Sequence, residues 1–292
     1  MTPWIEAMRL RTLPVSVAGV FAGTACAVYN HGFAFPQMLI CLAFAVIAQI
    51  ASNFANEYYD YKNGFDKKGR EGYRRGVTEG DITPSAMKRA TYGLLALDAL
   101  LGCTLIIWGG WWLIPVGIAI AIFAVAYSTG PFPLSHHGLG DIAVILFFGF
   151  VPVIFTEYVQ TETFSLDSVT ICTALAVGLM AANVLIVNNY RDYEDDKAVG
   201  KHTTVVIFGR KAMSTVYLLN GVIAAGALSA ATTRAPFWVS AGWITYIAFH
   251  LVLWERLKNR SGAALNPILK FTSILLFFAS LYLLVILSIY PR

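Results

Sequence analysis

Long apolar runs recur along the chain with few polar interruptions. Nine of them read as helices able to cross a bilayer, a span that takes roughly 20 mainly apolar residues. They lie over 13–30, 36–55, 90–108, 111–128, 140–157, 167–188, 212–232, 237–254 and 267–289. Their length and the lack of strict apolar/polar alternation predict helical spans rather than barrel strands. The first run follows Arg9 and Arg11 and has the outline of a signal peptide, but eight more runs place it in a multi-pass bundle. The fold expected is an all-α polytopic membrane protein with nine transmembrane helices around a central cavity, one membrane-embedded domain over residues 1–292.

Composition agrees with this pattern. Of 292 residues, 57% are hydrophobic and 13% charged, against about a quarter charged in a soluble domain. Mean hydropathy is +0.63. These values exclude a disordered chain and a nucleic-acid-binding protein, and leave more apolar surface than one water-facing globule can bury. Of the 21 Lys and Arg residues, only Arg234 and Arg292 fall on one side of the predicted bundle. The positive-inside rule then puts the N-terminus and the even-numbered loops in the cytoplasm and the C-terminus outside. The location expected is an integral multi-pass position in the cell membrane, the inner one in a bacterium. Trp108, Trp111 and Trp112 at a short outer turn read as interfacial anchors. Cys26, Cys41, Cys103 and Cys172 all lie in apolar runs with no Cys-x-x-Cys pair, so they read as small packed thiols.

The polar residues concentrate in two places. Of 17 carboxylates, six lie between Glu57 and Asp81 and four between Asp192 and Asp196. Both loops are on the expected cytoplasmic side and both are also rich in Lys and Arg. Asn56 and Asp60 share one helical face if the second span continues as helix, and Gly64 lets the chain turn so that Asp66 returns toward the same point. Asp192 and Asp196 again lie four apart, with Asn188 four before Asp192. The two Asn-x-x-x-Asp segments follow the second and sixth spans, which suggests a parallel repeat of two four-helix halves, roughly 9–133 and 138–254, plus a ninth helix over 267–289.

Carboxylates at a membrane edge suit a hard cation. Magnesium takes one or two protein carboxylates and completes its shell with water and phosphate oxygens. The neighbouring Lys67, Lys68, Arg70, Arg74, Arg75 and Lys201 are suited to phosphate. Acid and base together point to a magnesium–diphosphate ligand.

At these residues the sequence resembles the UbiA superfamily of intramembrane aromatic prenyltransferases, and within it the MenA-type branch of 1,4-dihydroxy-2-naphthoate polyprenyltransferases. The resemblance is carried by Arg11-Thr-Leu-Pro14 and by Asn56-Glu-Tyr-Tyr-Asp60 with Gly64 and Asp66. Further along it rests on Tyr127-Ser-Thr-Gly130-Pro131-Phe-Pro133, Gly138-Leu-Gly140-Asp141, and the segment from Asn188 to Thr203 containing Asn-Asn-x-Arg-Asp and Asp196. Glu57 stands where this branch often has Asp. The resemblance implies a cavity open to lipid, Mg2+ as cofactor, a polyprenyl diphosphate donor and an aromatic acid acceptor that loses its carboxylate as carbon dioxide. It also implies roles: Asn56, Asp60, Asp66, Asp192 and Asp196 as metal ligands; Asn56, Arg75, Lys201 and Asn188 on diphosphate; Asp60, Asp192 and Tyr127 in catalysis, Tyr127 by hydrogen-bonding phosphate or bracing the developing cation. Arg11 is the candidate for the acceptor's carboxylate. His136 and His137 read as an exposed loop pair, Arg191 equally as a structural ion pair, and Asp98 in mid-span as a protonated, helix-paired acid. The alternatives left open are another acceptor, such as 4-hydroxybenzoate or homogentisate, and a two-repeat secondary transporter. Protein partners are not indicated.

Overall fold

The computed structural model describes residues 2–69 and 72–292, so Arg70 lies outside the described residues. The described chain is helical between its turns, with one isolated bridge joining His137 and His202. The long helices are α1 (Leu13–Tyr29), α2 (Phe35–Lys62), α3 (Pro84–Gly109), α4 (Leu113–Ala126), α5 (Gly140–Thr161), α6 (Ser168–Arg191), α7 (Thr204–Ala231), α8 (Phe237–Lys258) and α9 (Asn266–Ile289). Among the described residues seven helices are long and apolar enough to cross a membrane, while α1 and α4 are shorter apolar helices of 17 and 14 residues. At 1.5 Å per residue these two reach only about 25 and 21 Å, short of a hydrocarbon core of about 30 Å. The chain turns at Arg9, φ +52, ahead of α1, and the Gly130-Pro131 segment, with Gly130 at φ +109, follows the end of α4.

Local chemistry sets the other ends. Proline stands in the first turn of α1, α2, α3 and α9, where its missing N–H has no intrahelical partner to lose. The Thr83 hydroxyl accepts the Ala86 N–H at the start of α3, and the Asp167 carboxylate accepts the Thr170 N–H at the start of α6. Several helices outrun their apolar patterns. α2 continues past residue 55 to Lys62 and carries Asn56 and Asp60 on regular helix. α7 begins at Thr204 rather than near 212, with a kink at Gly209.

α6 is the centre of the molecule. Of its most apolar 18-residue window, 78% is buried, against 11% for α3. The main core joins α6 to α1, α7, α8 and α9 through many small residues, among them Ala18, Ala22, Ala174 and Ala182. Small residues let backbones approach closely where lipid offers no hydrophobic drive to pack. Gly149 of α5 meets Gly178 of α6 so tightly that a Cβ on Gly149 would lie 2.5 Å from the Gly178 Cα. Around Gly149, residues Ile145–Phe150 form a π-helical turn.

Candidate active site

The last turns of α2 present the first motif to the interior. Asn56, Glu57 and Asp60 are buried. The Asn56 amide nitrogen donates to Asp60 Oδ2 at 3.1 Å and to Ser128 Oγ at 3.0 Å. Its oxygen accepts from Arg9 at 2.5 Å and Arg75 at 3.2 Å. Asn56 is thus the hub that fixes α2, the N-terminal segment, the loop after α2 and the end of α4. Its oxygen is occupied by two guanidinium groups in this arrangement. Glu57 accepts the Val77 N–H at 3.0 Å and anchors the short helix Gly76–Glu79 that leads into α3. Gly64, at φ +76, turns the chain, the Phe65 N–H closes on the Asp60 carbonyl at 2.8 Å, and Asp66 comes within 3.5 Å of Arg75 Nε.

The second motif straddles a break. α6 ends at Arg191, and a short helix Tyr193–Ala198 follows. The Asp196 N–H donates to the Asp192 carbonyl at 2.8 Å, so the four-residue spacing survives the bend. Arg191 grips both carboxylate oxygens of Asp192, Nε at 2.7 Å and Nη2 at 2.8 Å, and also reaches Asn188 at 2.9 Å and Asn266 at 3.1 Å. Asp196 is buried and Asp195 only half-buried, so the spacing argument selects the residue that the fold turns inward.

Lys201 joins the motifs, its Nζ 3.2 Å from Asp60 Oδ2. Between them lies a cavity of about 450 Å3 whose walls include Asn56, Arg75, Tyr127, Asn188, Asp192, Asp196 and Lys201, with Arg11 also on its wall. Asp60 and Asp66 stand behind this wall, held by Lys201 and Arg75. Lys67 and Lys68 are exposed and Arg74, half exposed, pairs with Asp81 at 2.5 Å. Buried carboxylates are costly unless paired; Asp60, Asp66 and Asp192 each face a cation. Tyr127 is buried, and burial, then the nearby Asp141 and Asp60 charges, push its phenol up from the ordinary value. It stays a neutral hydrogen-bond donor.

Three residues enter the site that the sequence pattern does not single out. His136 is the clearest correction: it is buried, not exposed, with Nε2 3.5 Å from Asp60 Oδ1 and its ring 4.3 Å from that of Phe65. The loop after α4 folds back on itself, Ser135 N–H to the Tyr127 carbonyl at 3.0 Å, and carries His136 inward. Arg9 reads in sequence as a topological charge; only its left-handed backbone aims it at Asn56. Tyr73 has its ring flanked by Arg11 at 4.5 Å and Arg191 at 4.8 Å, a cation–π clasp between segments far apart in sequence. Asp98 is buried on α3, and its Oδ1 has no hydrogen-bond partner, so the helix-paired reading finds no partner at that oxygen.

Among the described residues no three His, Cys, Asp or Glu side chains gather into a protein-only metal cage. Magnesium does not need one, since substrate and water complete its octahedron. Asp192 and Asp196 line the cavity and Asp60 lies directly behind it against Lys201, a donor set that fits a hard cation shared with a phosphate-bearing ligand.

The profile of the UbiA prenyltransferase family matches residues 16–281. The chain is 35% identical over 282 residues to the 1,4-dihydroxy-2-naphthoate octaprenyltransferase of Escherichia coli, covering 92% of this chain and 89% of that one. It is 34% identical to the protein of the same name from Mycobacterium tuberculosis, covering 93% and 91%. The fold is similar to the structure of a UbiA homolog from Archaeoglobus fulgidus bound to DMAPP and Mg2+, with a TM-score of 0.65 at 17% identity over 96% of this chain and 99% of that one.

Proposed function

The chain belongs to the UbiA prenyltransferase family, and from that premise we propose that it transfers a polyprenyl group from its diphosphate to 1,4-dihydroxy-2-naphthoate, releasing diphosphate and carbon dioxide and giving a demethylmenaquinol. The observation that carries this reading is one cavity lined by Asn56, Asn188, Asp192, Asp196, Arg75 and Lys201, with Asp60 joined to it through Lys201 at 3.2 Å. The acceptor is supported by the names of the relatives at 34 and 35% identity.

Magnesium, when bound, offsets the negative charge that grows on the departing diphosphate. Asp60, Asp66, Asp192 and Asp196 are the residues to hold it. Lys201 and Arg75 lie against Asp60 and Asp66 and would be the cations to face phosphate oxygens of a diphosphate in the cavity. Asn188 and the neutral Tyr127 phenol add donors on the cavity wall. Positive charge placed where the leaving group becomes anionic favours the transition state over the bound substrate. Arg11 holds the acceptor's carboxylate at the cavity mouth. It is exposed, and among the described residues it pairs with no carboxylate, so it can bind the acid and still let the group leave as neutral carbon dioxide. Nine membrane-crossing helices in two four-helix halves, with the motif loops and N-terminus cytoplasmic, belong to the same reading.

Purified protein given geranyl diphosphate, Mg2+ and 1,4-dihydroxy-2-naphthoate should yield a prenylated product lacking the carboxyl carbon, with one carbon dioxide per turnover. A product that keeps its carboxylate, or 4-hydroxybenzoate used at least as well, overturns the acceptor assignment. For orientation, single cysteines at Ser85 and Thr163, in a background without the native four, should label oppositely on intact cells. An impermeant maleimide should reach position 163 and not 85; the opposite pattern refutes a cytoplasmic site.

A further inference from the structure

The cavity between the motifs continues into a second, apolar one of about 150 Å3 that runs among α1, α2, α3, α4 and α5. Its outer end is closed by Cys41, Leu113 and Val159, which are buried in a core cluster of their own. Four residues line both spaces and so mark the neck between them: Gln49 and Ser52 from α2, Phe123 from α4 and Phe148 from α5. A diphosphate in the charged cavity with its hydrocarbon chain in the apolar one must put its first carbon at this neck, the one place where charged and apolar walls meet.

The α4–α5 side of the neck is aromatic and built with care for position. The rings of Phe123 and Phe147 stack in parallel with centroids 3.8 Å apart at 6°. The Tyr127 ring, one helical turn further along α4, meets Phe123 edge-on at 5.9 Å. Phe147, Phe123 and Tyr127 thus form a ladder from the apolar space to the charged one. Phe147 and Phe148 both come from the π-helical turn Ile145–Phe150; Phe148 lines the neck itself, and Phe147 lines the apolar space and stacks on Phe123. π turns of this kind concentrate at functional sites. This one is pinned from behind by the contact of Gly149 on Gly178.

Resting on the prenyl-transfer reading above, we propose that Phe123 and Phe148 are the cation-facing residues of the reaction: their rings flank the allylic carbon as its bond to diphosphate breaks. In that step the C1–O electron pair leaves with diphosphate, and C1 becomes part of an allylic cation. The acceptor's ring carbon donates its π electrons to C1. The new ring cation is then discharged as the carboxylate leaves as carbon dioxide, its C–C electron pair restoring the aromatic ring. A cation here needs stabilisation by something that cannot capture it. The face of a phenyl ring supplies negative potential without a lone pair, whereas a carboxylate or water would bond to C1. The apolar space behind the rings keeps water away from the far side.

The test is site-specific incorporation of fluorinated phenylalanines at positions 123 and 148, which drains the ring face while nearly keeping its size. With geranyl diphosphate as donor, kcat should fall stepwise with each added fluorine, to a total of about 5- to 30-fold, the range a partly desolvated cation–π contact provides. The donor KM should move less than about threefold. The same series at the lipid-facing Phe249, 60% exposed, should be flat. In Phe148→Leu the share of donor released as free prenol should rise at least about fivefold. A kcat that does not change with fluorine number at either position, or a loss confined to donor KM, overturns the proposal by reducing the rings to packing. If the unmodified protein forms no prenylated product, the prenyl-transfer reading itself fails, and that outcome is distinct.

Discussion

The two Asn-x-x-x-Asp segments have the same spelling and opposite wiring. Asp60 sits on unbroken helix and draws its compensation from afar, from Lys201 at 3.2 Å and His136 at 3.5 Å. Asp192 sits at a helix break and is served by the residue beside it, Arg191. The supporting helices differ in the same sense: α6 is the buried centre of the bundle, 78% of its most apolar window being buried, while only 11% is buried in α3, which follows the first motif. The second motif is therefore tied first by its own neighbour and then, through Arg191, to Asn266 and Tyr73, whereas the first takes its cation from a residue 141 positions away.

The strongest test treats the two as equals. Asp60→Asn and Asp192→Asn each keep size and remove charge, and each should cost at least about 100-fold in turnover, as expected for lost stabilisation of a leaving group. Excess EDTA should abolish activity in the parent. Near-normal turnover in either variant, or with EDTA, removes the metal–diphosphate site.

A smaller effect separates them. Lys201→Met takes one cation from Asp60 and removes the proposed phosphate contact, so turnover should fall about 10- to 100-fold with the donor KM raised. Arg191→Met removes the two-oxygen grip on buried Asp192 and the bonds to Asn188 and Asn266, so its main signature should be a loss of several kcal/mol in stability, read as a drop in unfolding temperature in detergent. Equal stability losses in both variants would erase the distinction between the motifs.

The smallest effect lies at the other end of α6. Asp167 caps that helix through the Thr170 N–H and takes a second bond from Asn30 at 2.9 Å. Burial pulls its pKa up, but those donors outweigh it and the net shift is downward. A folded-state value below the unfolded one means the stabilisation is complete above about pH 4 and is lost as pH falls through the folded value. Asp167→Asn keeps a capping oxygen, so it should cost less than about 1 kcal/mol, leave turnover unchanged, and flatten the acid limb of the unfolding-temperature profile. An unchanged acid limb would remove Asp167 as its source.

Much of the site was legible because it is local. Asn56 and Asp60, or Asp192 and Asp196, are brought together by helical periodicity alone, and Gly64 announces the turn that returns Asp66. His136 was not legible: a histidine between two prolines and a glycine reads as a surface loop, and only the fold-back onto Tyr127 buries it. The nine expected spans were read from hydropathy, which placed α1 to within a residue but ran the fourth over 111–128, where the helix covers only Leu113–Ala126.

What the amino-acid order determined by itself was what depends on neighbours within a turn or two: apolar length, the crowding of charge into two loops, two acidic motifs and the family they belong to. The tertiary structure decided which cation faces which carboxylate, because Lys201 and Asp60 are 141 residues apart and no local rule links them. It also decided where the charged and the apolar cavity meet. That position is a junction of two cavities made by side chains from three helices, and a π turn whose only trace in the sequence is a glycine pressed against another glycine.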